Sequence, residues 1–271
     1  MSEKSSASAP NAPAVAAPKR RSIGWYGWRP DTPDMRDHAS RLMVKRVTRL
    51  PSSVDLSKKT FMPNVYDQGD LGSCTANAIA AAYEFETRKQ ALADFMPSRL
   101  AIYYGERLIE NTVKSDAGAE IRDGMKVIAK SGVADESLWP YDIRKFAAAP
   151  PRAYTTAAKA HRCLSYEAVE PTEAAIKSHL AEGLPIVFGI SVYDSFESDA
   201  VAQTGVVPMP KPRETMLGGH AILMTGYTSS TFRFRNSWGT SWGKKGYATL
   251  PKAYVLNPSL ASDFWVVRSV E

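Results

Sequence analysis

The sequence predicts an α+β protein, with a helical first half, a β-rich second half and a cleft between them. Three observations predict it. Capped helical patterns recur between residues 73 and 132, and short alternating or apolar runs recur after residue 160. The chain, 271 residues with 44% hydrophobic content, is long enough to bury a sizeable core.

The elements follow in order. Residues 1–18 are mostly Ala, Ser and Pro, and residues 1–22 are expected to form a disordered tail because they hold too little apolar bulk to offset ordering. Residues 23–50 read as an arm. Trp25, Tyr26 and Trp28 crowd into four positions there, which suits docking on the body. Residues 32–38 read as a turn followed by a short helix or strand, and Leu50 to Leu56 as entry into the body. A mainly helical subdomain is expected over 51–160 and a β-rich one over 161–271. Ser73 is a good N-cap for the clearest helix, which runs to about Lys89 with Ala76, Ile79, Ala80 and Tyr83 as one buried stripe. Ser98 caps a second helix reaching about Glu110. A third spans Ile121 to Ser131 and ends at Gly132. Cys163 to Val169 alternates as a strand, and Glu173 to Ala181 is one more helix, a surface one, that carries His179. Residues 185–192, 220–227, 231–235, 246–250 and 263–268 then read as strands.

The net charge is +6, and the first 50 residues account for it, with ten bases against four acids; the remainder holds 24 of each. A nucleic-acid binder would spread basic charge over a folded face, so a solvated basic arm is the expected reading. No window reaches the ~18 apolar residues of a membrane span, and the N-terminus lacks the apolar core of a signal peptide. Two cysteines form no disulfide framework. A cytoplasmic monomer is expected, with export independent of a signal peptide left open.

Taken alone, Cys74 reads as a small buried hydrophobe. Its position argues otherwise. As the first helical residue it would face unpaired N–H groups and the positive helix end, which lower a thiol's pKa. A thiolate needs a proton-holding partner. His38, His161 and His179 read as structural. His161 and Cys163 could place two ligands on one strand face, but no further ligand is near in sequence, so no metal is expected. His220 follows Leu217-Gly-Gly219 and opens a strand, which presents a side chain at a sheet end. Sixteen residues on, Asn236 could accept a hydrogen bond from the imidazole, and Trp238 could shield that bond.

Gln68, Gly72-Ser-Cys74, Gly219-His-Ala221 and the string Asn236-Ser-Trp-Gly-Thr-Ser-Trp-Gly243 together resemble the papain family of cysteine peptidases. Residues 27–37 and 71–77 resemble a bacterial, disulfide-poor branch of it. The resemblance implies a papain-like fold with a left helical and a right β-barrel-like domain, peptide or protein substrates, and no cofactor. It implies Cys74 as nucleophile, His220 as its partner, Asn236 as the orienting group and Gln68 in the oxyanion hole. It further implies Gly72 and Ser73 as cleft wall, Gly118 and Ala119 as a ledge for substrate backbone, and a side-chain pocket at Gly189, Gly219 and Ala221. The family's cysteine three positions before the nucleophile is Leu71 here, which points to a reducing compartment. The arm is shorter than the family's prosegment, and we expect it to dock across the cleft and limit access. Two other readings stay open: a catalytically silent binding protein of the same fold, and nucleotide or nucleic-acid binding through the basic arm.

Overall fold

The computed structural model describes residues 26–33 and 50–271. The expected tail over 1–22, Trp25, and the turn-plus-element reading beyond residue 33 lie outside them. Chain order gives β1 (Val54–Asp55), α1 (Cys74–Lys89), α2 (Arg99–Ile109), α3 (Ile121–Lys130) and α4 (Arg152–Ala158). Then follow β2 (Cys163–Ala168), α5 (Glu173–Ala181), β3 (Ile186–Tyr193), α6 (Asp199–Thr204), β4 (Met216–Tyr227), β5 (Thr231–Arg235), β6 (Tyr247–Pro251), α7 (Lys252–Val255) and β7 (Ala261–Val270).

The helical-then-β order is the one expected, and the sheet is antiparallel. Its strands run β2-β7-β3-β4-β5-β6, with β1 beside the far end of β4. The sheet has two ends and does not close as a barrel would. Its centre explains the unbroken apolar runs in β3 and β4, because both faces are buried. Ile186, Phe188, Ile190, Ile222 and Met224 enter one core together with α5. The alternating residues Val187, Ala221 and Leu223 join Trp265 and Val267 in a second core, against α1.

That placement changes the reading of α1. Every residue from Cys74 to Thr87 is buried, so the helix has no single apolar stripe. It is packed between the sheet, α2 and α3, and its five alanines let neighbours approach closely. Ser73 sits at the N-cap position, but its hydroxyl makes no cap bond. It pairs instead with the Tyr141 hydroxyl at 2.5 Å and accepts from Asn77 Nδ2 at 3.0 Å. Ser98 caps α2 as expected, accepting from Ala101 N. His179 is not on the surface. It is fully buried, with Nδ1 2.8 Å from Ala175 O. β4 begins at Met216, so His220 lies inside the strand, opposite Ile190, and does not open it.

Candidate active site

The site forms where the N-terminus of α1 meets β4. The loop that leads into α1 is held from four directions. Arg99 Nη1 donates to Asp67 O (3.0 Å), and the Tyr141 hydroxyl donates to Gln68 O (2.9 Å). Gln68 N donates to Ser237 O (2.9 Å), and Gly72 N reaches the Asp116 carboxylate (3.0 Å). Asp116 also accepts from the Tyr103 hydroxyl, whose oxygen accepts from Gly118 N (3.1 Å). One carboxylate and one phenol thereby fix the Cys74 loop and the Gly118–Ala119 ledge relative to each other. Arg107, fully buried, supports that ledge by donating to Val113 O and Ser115 O.

Cys74 Sγ accepts the backbone N–H of Ala221, the residue after His220, at 3.3 Å. The chain register brings Asn236 close, because Leu223 of β4 faces Arg235 of β5. His220 Nε2 and Asn236 Oδ1 are 2.8 Å apart. The same Oδ1 accepts the Ser237 N–H at 2.9 Å, so it is an acceptor and the histidine nitrogen facing it is the donor. Nε2 therefore carries a proton, and proton exchange is left to Nδ1. Trp238 lies against the imidazole, ring centroids 4.9 Å apart, and Trp242 backs it edge-on at 5.3 Å. The His220–Asn236 bond is shut away from water, where it is stronger. Gln68 Oε1 accepts from Ser237 Oγ (2.6 Å), and Nε2 gives one of its two N–H groups to Leu71 O (2.9 Å). Cys74, His220, Asn236 and Gln68 are all at most 2% exposed.

Residues 26–33 lie in this cleft. Ala119 N donates to Gly27 O, Arg29 N donates to Ala119 O (3.0 Å), and Trp28 N donates to Gly219 O (3.0 Å). The Trp28 side chain, 6% exposed, fills the space over Gly189 and Gly219. The fit is backbone-close: a Cβ at Gly27 would lie 1.6 Å from Gly72 O, and one at Gly189 would lie 2.0 Å from the Trp28 ring. Tyr26 stands edge-on to His220, at 6.0 Å between centroids, and its hydroxyl pairs with Glu197. Arg29 pairs with Glu110, and the Thr32 hydroxyl and N–H both meet Glu120.

This cover reverses an expectation. The helix N-terminus should lower the thiol pKa, yet burial pushes the Cys74 thiol up to about 12. Backbone N–H groups of Ala221, Gly27 and Thr75 pull it back only in part. Burial under the arm therefore favours the protonated form of the sulfur.

Of the other anticipated residues, Gly72, Gly118, Ala119, Gly189 and Gly219 line the path of the arm, and Ala221 holds the sulfur. Ser73 belongs to the anchoring of α1. Sequence reasoning missed Arg99, Asp116 and Tyr141, and also Asp263, whose Oδ2 accepts Trp28 Nε1 of the arm at 3.1 Å. Their only sequence signal is their residue type, and each acts through a partner 10 or more positions away.

A model of the papain family cysteine protease matches residues 50–262. An uncharacterised peptidase C1-like protein of Acanthamoeba polyphaga mimivirus is 46% identical over 230 residues, covering 80% of this chain and 74% of that one. Cathepsin K of Mus musculus is 29% identical over 213 residues, covering 75% of this chain and 60% of its own length. Among solved structures, xylellain, a cysteine protease from Xylella fastidiosa, is 40% identical with a TM-score of 0.83, covering 93% of this chain and 99% of that one. A digestive procathepsin L 3 of Tenebrio molitor larval midgut shares the fold at 19% identity, with a TM-score of 0.65 over 82% of this chain and 71% of its own.

Proposed function

The chain belongs to the papain family of cysteine proteases and is a cysteine endopeptidase, and we propose that Cys74 and His220 carry its chemistry while its own N-terminal arm restrains them. The observation that carries this reading is the juxtaposition of Cys74 Sγ on Ala221 N–H with the 2.8 Å His220–Asn236 bond.

With the arm out of the cleft, water reaches the sulfur. The proton then passes from Cys74 to His220 Nδ1, giving a thiolate and an imidazolium, and Asn236 Oδ1 holds the ring by its Nε2–H. The thiolate attacks the peptide carbonyl carbon. Negative charge develops on the carbonyl oxygen, and the Cys74 backbone N–H and the second Gln68 Nε2–H stabilise it, at a few kcal/mol per donor. His220 gives its Nδ1 proton to the leaving amine, the C–N bond breaks and a thioester remains. His220 then takes a proton from water as the hydroxyl attacks the thioester, which releases the acid and restores the thiolate. Peptide backbone would pair with the Gly118–Ala119 ledge, and one side chain would take the space Trp28 occupies. The backbone contacts of the arm with Ala119 and Gly219 are those a peptide would need, which supports an autoinhibitory role.

The test is Cys74→Ser against wild type on a dipeptidyl-arginine fluorogenic substrate, with peptide mapping after iodoacetamide. Cleavage is expected to disappear in the variant, and, once the arm is displaced, alkylation to fall on Cys74 rather than on Cys163, both of which are buried while it is docked. Equal turnover, or modification of Cys163 alone, would remove the assignment.

A further inference from the structure

Two aromatic side chains of the arm flank the Cys74 sulfur. The Gly27 N–H donates to Cys74 Sγ, so Tyr26 and Trp28 lie on either side of it along the cleft. Trp28 fills the space over Gly189 and Gly219, with its backbone paired to Ala119 of the ledge. Tyr26 occupies different ground. Its ring stands edge-on to His220 (6.0 Å) and to Trp238 (6.1 Å), and a Cβ at Gly218 would lie 2.8 Å from Tyr26 Cβ. Its hydroxyl donates to the Glu197 carboxylate. Gly218, His220, Trp238 and Glu197 thus bound a second side-chain space, walled by two rings and ended by a carboxylate.

Glu197 is held where it stands. It closes a one-turn helix, Asp194–Glu197, whose Phe196 is buried. The Phe196 ring stacks on Trp242 (5.8 Å) and Phe234 (6.2 Å) and meets Trp238 edge-on (5.7 Å). Asp194 N donates to Thr215 O (3.1 Å), and Ser198 Oγ donates to Ser195 O (2.8 Å). The Glu214 carboxylate accepts the N–H groups of both Ser195 and Lys211, which ties the turn to the loop before β4. A carboxylate on such a support has little freedom to follow or avoid an incoming side chain, and that is the condition for discrimination.

We propose that Glu197 selects the substrate residue that follows the cut bond, favouring a long side chain that ends in an O–H or N–H donor (tyrosine, arginine or lysine) over phenylalanine and over acids. The proposal rests on the reading of Cys74 and His220 as the reacting pair. In that reading the acyl half of the substrate stays on the sulfur and along the Gly118–Ala119 ledge. The leaving amine departs past His220, which protonates it. The first side chain of the leaving half then falls where Tyr26 lies. A tyrosine there repeats the hydroxyl-to-carboxylate bond, and a guanidinium or ammonium adds opposite charge. Phenylalanine keeps the ring contacts and forgoes that bond. An acid sets two anions together.

The experiment uses the full chain carrying Gly27→Val, whose side chain cannot coexist with Gly72 O, alone and combined with Glu197→Gln or Glu197→Leu. Quenched peptides differ only in the residue after the cut bond, which is Tyr, Phe, Arg or Glu. Mass spectrometry of the products locates the bond. kcat/KM is compared between peptides on one enzyme, so the fraction of open and folded enzyme cancels. We expect Tyr over Phe and Arg over Glu by about 10-fold each. Glu197→Leu should bring both ratios to about one. Glu197→Gln, which keeps an acceptor without the charge, should retain most of the Tyr preference and lose the Arg preference. A purely structural Glu197 would change all rates together and leave the ratios as they were, which overturns the proposal. Ratios near one before any change at Glu197 also overturn it. If Gly27→Val cleaves the dipeptidyl-arginine substrate but none of these peptides ahead of the varied residue, the selection alone fails. If it cleaves neither, the reading of the reacting pair fails and the selection falls with it.

Discussion

Gln68 and Asn236 each do two things with one amide. The Asn236 oxygen accepts from both Ser237 N and His220 Nε2, which settles the imidazole tautomer. Gln68 spends its oxygen on Ser237 and one N–H on Leu71, so its remaining N–H has little orientational freedom. Gln68→Ala should lower kcat about 100-fold with KM little changed, since an oxyanion donor acts only once charge has developed. Steady-state kinetics on an arm-released enzyme checks this; a change confined to KM would contradict it. That Cys74, His220, Asn236 and Gln68 belong together was legible in the sequence, because the chemistry proposed for them demands particular residue types: a thiol, an imidazole and two amides. Asp31 and Asp263, which the Asp31 N–H joins, were not legible. They stand 232 positions apart, and nothing in their local sequence distinguishes them from surface acids. His179 misled for a related reason, since periodicity gives a helix face but not what covers it.

At the level of elements, α1 is the axis of the candidate active site. It points its first residue at the sheet and lies buried among α2, α3 and β4. Its extent was readable from Ser73 and from its helical pattern. Its all-round burial was not, because alanine is compatible with either environment. The close approach of α3 depends on Gly124, where a Cβ would lie 2.2 Å from Ile79 Cδ1 and 2.4 Å from Glu106 Oε1. Gly124→Ala should destabilise the fold by about 1–3 kcal/mol through overpacking. A shift of the urea midpoint at constant slope measures this, and an unchanged midpoint would mean that α3 moves away without loss. The short helices α4, α6 and α7 escaped sequence reading because four to seven residues give too little periodicity. α6 nevertheless carries both of its end signals, Ser198 at the start and a left-handed Gly205 at the close.

Across the whole molecule, an autoinhibitory arm of the kind proposed would link stability to silence. Whatever docks on the native state and not on the unfolded chain stabilises the fold by mass action. Trp28→Ala should therefore lower Tm by a few degrees while speeding Cys74 alkylation, two effects of opposite value from one truncation. A loss of both stability and reactivity would instead indicate damage to the body. The fold class was legible at this scale, because helical and strand patterns segregate along the chain. Docking of the arm across the cleft was expected from its aromatics and its basic charge; the backbone contacts that seat it, Trp28 N to Gly219 O and Arg29 N to Ala119 O, were not.

The close fit of the arm also bears on how this protein can vary. Gly27, Gly118, Gly189 and Gly219 meet the opposing surface with backbone or ring where a side chain would stand. Every missense change at a glycine adds at least a Cβ, so these positions have no conservative neighbour. A lineage cannot loosen the seal there by degrees. Its graded adjustment must come from Tyr26, Arg29, Asp31 and Thr32, whose contacts are made by exchangeable side chains.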